Sequence, residues 1–168
     1  MKFSETIDPI RRTADHLLIS CVNEGGLIYC GPDGIEIIDF IDTIGLYSDD
    51  ENVIRAYQTS TGSCIDIFNS SGHNPLRLEL GEDIHDILLH EKLLYIVSTG
   101  TNEVLTFTQE GKLFKKYAFP GEGDSWHINC LTIIDNKIAI SAFGNFEKFR
   151  DWANGKYRDQ GFIHFLED

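Results

Sequence analysis

Between Ile84 and Phe119 the chain reads IHDILLH (84–90), LLYIVST (93–99), EVLTFTQ (103–109) and FKKYAF (114–119). Each run is short and rich in β-branched and aromatic residues, and turn formers such as Glu110-Gly111 separate them, which predicts four strands of one antiparallel meander. The pattern recurs on both sides. Upstream lie TIGLYS (43–48), VIRAYQT (53–59), SCIDIFNS (63–70) and PLRLEL (75–80); downstream lie HINCLTIID (127–135), KIAISAFG (137–144) and GFIHFL (161–166). Ser60-Thr61-Gly62, Ser98-Thr99-Gly100 and Ser141-Ala142-Phe143-Gly144 fall at equivalent places, as do Ile65-Asp66-Ile67-Phe68 and Val104-Leu105-Thr106-Phe107. LLISCV (17–22), GLIYCG (26–31) and IEIIDF (35–40) supply three strands of an earlier, incomplete unit.

A four-stranded unit repeated at about 40 residues is the signature of propeller blades. The expectation is therefore an all-β fold: one propeller-like domain over 1–168, an arc of about three and a half blades. Its parts are an N-terminal arm (1–16), a partial blade (17–40), two blades (43–80 and 84–119) and a partial blade (127–168) with an insertion at 145–160. Propellers close with roughly 4–8 blades, so the ring is incomplete, and a second copy or a companion chain is expected to complete it. A face-packed β-sandwich is the competing all-β architecture.

Composition limits the partners. Acidic residues number 27 against 14 basic ones, a net charge of −13. That field repels phosphate backbones and anionic lipid, which argues against nucleic acid and membrane surfaces as partners. The sequence holds no apolar run long enough to span a bilayer, and its first twenty residues mix charges where a secretory signal needs an apolar stretch. Cys21, Cys30, Cys64 and Cys130 show no C-x-x-C pair and no zinc spacing, and read as small buried thiols of a cytoplasmic protein. There is no G-x-S-x-G elbow, and Gly121-Glu122-Gly123 lacks the context of a phosphate loop.

Strand polarity predicts where a site lies. In a meander, the start of a first strand and the end of a second lie at the same sheet edge. His85 and Asp86 open one first strand; His127 and Asn129 open the next. Thr99-Gly100 and Gly144 end second strands, and the insertion NFEKFRDWANGKYRDQ (145–160) leaves from that edge. These residues are expected to share a cup. Asp86 and Asn129 offer oxygens to a divalent cation such as Ca²⁺, which takes about six to eight of them, whereas the two histidines favour Zn²⁺ or Mn²⁺. The alternative is that both histidines bridge blades through backbone hydrogen bonds. The insertion interleaves Phe146, Phe149, Trp152 and Tyr157 with Lys148, Arg150, Lys156 and Arg158. Rings beside cations suit a small molecule, a sugar or a partner protein, with Arg150, Trp152 and Lys156 as contacts; a solvated cap is the plainer reading. Trp126, next to His127, either lines the same cup or packs between blades, and packing is the expectation.

The same segments resemble the bacterial propeller-like proteins grouped as domain of unknown function 4915. They are Leu17-Leu18-Ile19-Ser20, Asp83-Ile84-His85-Asp86-Ile87, His127-Ile128-Asn129-Cys130-Leu131, and Trp152-Ala153-Asn154-Gly155-Lys156 with Gly161 after it. At Cys130 that family usually has glycine. The resemblance implies that further blades follow Phe162-Ile163-His164-Phe165, so that this chain is an N-terminal half, and it implies no reaction. More distantly, Asn129 is similar in place to the first-strand asparagine of six-bladed, calcium-dependent lactonase-like and strictosidine-synthase-like propellers. In the lactonase-like enzymes that asparagine binds metal. The functional expectation is a ligand- or partner-binding propeller, with a metal-dependent lactonase-like hydrolase and an interaction scaffold as alternatives.

Overall fold

A computed structural model describes residues 16–22, 25–60, 62–70, 72–78, 83–154 and 159–167. The described residues are organised as β-sheet, with one 3-10 turn at Asp151–Ala153. The chain divides into two compact units, Met1–Arg77 and Leu78–Asp168.

The first unit holds two sheets. One is three-stranded, β1 (Leu17–Cys21), β2 (Gly26–Gly31) and β3 (Gly34–Asp39), in that order; the other is four-stranded, β4 (Thr43–Ser48), β5 (Asn52–Thr59), β6 (Gly62–Asn69) and β7 (Gly72–Leu78). The strand expected at 75–80 thus begins three residues earlier, at Gly72, whose positive φ of 123° suits the tight turn ahead of it. Residues 52–56 of β5 and 63–67 of β6 are buried consecutively rather than alternately, so side chains on both faces of these strands are sheltered. Val53, Ile54, Ala56, Ile65 and Ile67 supply the apolar part.

Sheltering both faces also buries a charge. Arg55 on β5 is 5% exposed; it donates to Asp66 on β6 (Nη2 to Oδ2, 3.0 Å) and to Asp39 at the end of β3 (Nη1 to Oδ2, 2.6 Å). Asp66 Oδ1 also meets His73 Nε2 at 2.9 Å. A buried guanidinium is tolerable only with such partners.

The second unit repeats the plan. Its four-stranded sheet is β8 (Ile84–His90), β9 (Leu93–Ser98), β10 (Glu103–Thr108) and β11 (Leu113–Ala118); its three-stranded sheet is β12 (Ile128–Ile134), β13 (Lys137–Ala142) and β14 (Phe162–Phe165). Val97, Val104, Trp126, Ile128, Leu131, Ile138, Ile140 and Ala142 form one buried cluster between the two sheets. Trp126 is packed there, against Phe119 and Phe162, as its apolar bulk predicts.

Three first strands share an irregularity. The register slips by one residue between Thr43 and Gly45 in β4, between Ile84 and Asp86 in β8, and between Ile128 and Leu131 in β12. A bulge carries an extra residue that re-aims its side chain, and bulges concentrate beside functional sites. His85 is the extra residue of β8; Asn129 and Cys130 lie in the bulge of β12. The β12 bulge explains a correction: Cys130, expected to be a buried thiol, is exposed, while Cys64 is buried and Cys21 and Cys30 are half-buried.

Candidate functional site

The bulged starts of β8 and β12 lie side by side in the second unit. The imidazoles of His85 and His127 meet edge to face with ring centroids 5.1 Å apart. The segment after β13 returns to the same place. Phe143 and Trp152 lie 4.4 Å and 4.0 Å from His127, centroid to centroid, and 5.3 Å from each other. His127 therefore sits among three rings.

The hub of the cluster is Asp124, whose carboxylate is 1% exposed. One oxygen meets His127 Nδ1 at 2.8 Å, and the other accepts Arg150 Nε–H at 2.8 Å. Its backbone carbonyl accepts the Arg150 amide (3.1 Å) and the Trp152 indole N–H (2.9 Å). The insertion is thus fastened to Asp124 through Arg150 and Trp152. Arg150 Nη2 also reaches Asp83 Oδ2 at 3.8 Å, and Asp83 Oδ1 reaches His85 Nε2 at 3.3 Å. Each histidine has a carboxylate, and one guanidinium joins the carboxylates. The alternative of histidines bridging through backbone is therefore replaced by pairing with Asp83 and Asp124.

Asn102 holds this loop in shape. It stands in the β9–β10 turn with φ 58°, 1% exposed. Its amide nitrogen donates to the carbonyls of Phe119 and Pro120 and to Ser125 Oγ, and its oxygen accepts the Trp126 amide. Every polar position of the side chain is used. Thr99 adds a clamp, donating to the Ile128 carbonyl at 2.6 Å across the two sheets. The backbone is strained where the site residues emerge: Asp83, His127 and Arg150 have φ of 52°, 46° and 54°. For non-glycine residues this region costs about 1–3 kcal/mol each and recurs at functional sites.

Asp86 plays a different part from the one expected. Its oxygens accept the Ile87 amide (2.9 Å) and the Leu131 amide of the neighbouring sheet (2.7 Å), so it ties β8 to the β12 bulge. Burial pushes its carboxyl above the ordinary 3.8, against the pull of the two amides and of His85. Asn129 is half-buried, and its oxygen takes only a long contact from the Cys130 thiol, 3.7 Å. Among the described residues no three His, Cys, Asp or Glu side chains gather into a metal-binding group. A calcium set built on Asp86 would have to compete with two amides, so the residues present do not fit that ion well. Lys156, with the rest of 155–158, lies outside the described residues.

Sequence reasoning singled out His85, His127, Arg150 and Trp152, and the structure brings these four together. It overlooked Asp124, Asp83 and Asn102. The signal for Asp124 is its spacing of three from His127 in GEGDSWH (121–127), obscured by the adjoining Gly121-Glu122-Gly123 run.

No protein-family model and no curated protein matches the chain. Solved structures do match. One is a protein of unknown function from Bacteroides caccae, with TM-score 0.55 and 16% identity, covering 76% of this chain and 49% of that one. Another is a streptogramin B lyase, with TM-score 0.59 and 10% identity, covering 92% of this chain and 51% of that one. At such identity the likeness shows fold alone. The protein is all-β and propeller-like, its described residues forming antiparallel sheets of three or four strands, as the repeats predict. It spans about half the length of the structures it resembles. Among the described residues no helix is long and apolar enough to cross a membrane.

Proposed function

We propose that this chain is the ligand-binding part of a propeller, with the ligand taken at the rim formed by His85, His127, Phe143, Arg150 and Trp152. The observation that carries the reading is buried Asp124, whose carboxylate holds His127 and Arg150 and whose backbone carbonyl holds Trp152, all beside His85. Two of these four, His127 and Arg150, adopt positive φ, and holding them beside Asp124 adds little to the packing of the sheets, which meet through Trp126 and Ile128. The ligand is a small ring-bearing molecule, a sugar among the candidates, laid against Trp152 and Phe143. Titration with dihydrocoumarin or N-acetylglucosamine, followed by intrinsic tryptophan fluorescence, tests this. Saturable quenching is expected, lost in Trp152→Phe with the melting temperature kept within a few degrees; equal quenching in the variant would contradict it.

The resemblance to domain of unknown function 4915 belongs to the same proposal, supported by the quoted segments and by the fold. It calls for further blades encoded after Phe165, which the sequence of the downstream reading frame checks. A companion chain or second copy is supported by β3, an edge strand of a three-stranded sheet, where Ile35 and Ile37 are 77% and 51% exposed and Phe40, just after the strand, is 71% exposed. The cytoplasm remains the proposed compartment, supported by the four free thiols. A calcium-dependent lactonase-like hydrolase is the weaker reading, because Asp86 is engaged by backbone.

A further inference from the structure

Among the described residues, one face of the first sheet is uncovered. Register puts Leu17, Cys30 and Ile35 in one cross-strand row and Ile19, Ile28 and Ile37 in the next, so these six side chains share one face of β1, β2 and β3. The opposite face is the one turned to β4, for Ser20 donates to the Ile44 carbonyl and Leu27 is fully buried. On the uncovered face Leu17, Ile19, Ile35 and Ile37 are exposed. Contiguous apolar surface of this kind rarely stays open on a soluble monomer.

The last sheet carries a counterpart. Its inner face, with Leu131, Ile138, Ile140 and Phe162, packs on the sheet of β8 to β11. Its outer face holds the row Thr132, Ala139 and Phe165 and the pair Ser141 and Ile163. Ile163 and Phe165 are 54% and 41% exposed. Lys137, opposite Ile134 at the strand ends, adds a cation. No carboxylate stands in these rows of either face, although the chain has 27 acids against 14 bases. Self-repulsion at a net charge of −13 opposes contact between copies, and it is weakest where two such faces meet.

We propose that the uncovered face of the first sheet receives the outer face of the last sheet of a second copy, and that two such contacts, related by a two-fold axis, close the pair. Two copies are the number the fold calls for, since one chain spans 49% and 51% of the two solved structures it resembles. Apolar rows then meet apolar rows, and the residues left exposed at both ends of the chain are buried together. The inference rests on the reading that a companion chain or second copy covers the first sheet; it names the occupant and the face that occupant brings.

Sedimentation equilibrium of the unmodified chain, Ile37→Lys and Ile163→Asp tests this, with melting followed by circular dichroism to show each variant folded. The unmodified chain is expected to form a dimer and no larger species. Each variant alone is expected to raise the dissociation constant about a hundredfold or more, because both contacts then bury an unpaired charge. Mixing the two variants is expected to restore a dimer. Ile37→Lys keeps its last sheet intact and Ile163→Asp its first, so one contact is native and the other sets the introduced charges, opposite in sign, against each other. Leu17→Lys and Phe165→Asp serve in the same way where a variant does not melt like the unmodified chain. If the chain dimerises but Ile163→Asp leaves the dimer intact, or mixing restores nothing, this contact is refuted while a partner on the first sheet stands. If the unmodified chain is a monomer at micromolar concentration, the second copy is refuted and only a companion chain can cover that sheet.

Discussion

Asp86 shows how one carboxylate can serve structure inside a cluster that otherwise looks chemical. Its two acceptor contacts, to Ile87 and Leu131, join neighbouring sheets at their bulged ends. Asp86→Ala is expected to cost about 1–3 kcal/mol in denaturant unfolding, because the Leu131 and Ile87 amides lose their acceptor. The sign with pH is also defined. Burial holds the folded carboxyl above the ordinary 3.8, so the unfolded chain loses its proton first as pH rises. Stability contributed by this group therefore falls as pH rises through 3.8 toward the folded value. Asp86→Asn removes that loss, so its stability relative to the parent chain should improve across the same rise; no change would show the carboxyl to be unshifted. Asn102 is the second structural residue of this kind. Asn102→Ala should lower stability by about 1–3 kcal/mol, since it strips partners from the Trp126 amide and from two loop carbonyls. It should also weaken the fluorescence response, because that loop carries Asp124.

At the scale of elements, strands were legible because their signals are local. Period, β-branched content and turn residues across the four units from 17 to 166 identify the fourteen strands of the described residues, with boundaries mostly within a residue or two. Polarity then placed His85, His127 and the insertion at one edge. The bulges were not legible, since an added residue such as His85 changes register without changing composition. Nor were the partners of the histidines: Asp83 and Asp124 precede their strands in irregular segments, where no periodicity indicates which way a side chain turns. The Arg55 network was hidden for a related reason, as VIRAYQT and SCIDIFNS read equally well with Arg55 and Asp66 facing water. Its burial makes a firm prediction. Arg55→Leu leaves Asp66, 5% exposed, without its principal cation, and should destabilise the first unit by about 3–5 kcal/mol by thermal or urea unfolding. A cost near zero would mean that Asp66 is hydrated.

For the whole molecule, the repeats and the solved structures agree on an all-β, propeller-like fold, and the chain spans about half of each structure it matches. The exposed apolar residues of β3 give the companion-chain proposal a direct check: sedimentation of the isolated chain should show association at micromolar concentration, reduced by Ile37→Lys. A monomer unaffected by that change would remove β3 as the docking edge. The functional reading depends on one juxtaposition, two first-strand histidines brought from 42 positions apart (127 − 85) to a shared rim. A nuclear Overhauser measurement between the imidazole ring protons of His85 and His127 tests it most directly. With centroids 5.1 Å apart, a cross-peak is predicted between the two rings, accompanied by one from His127 to Trp152. Cross-peaks from each histidine to other neighbours, with none between them, would contradict the site and the function built on it.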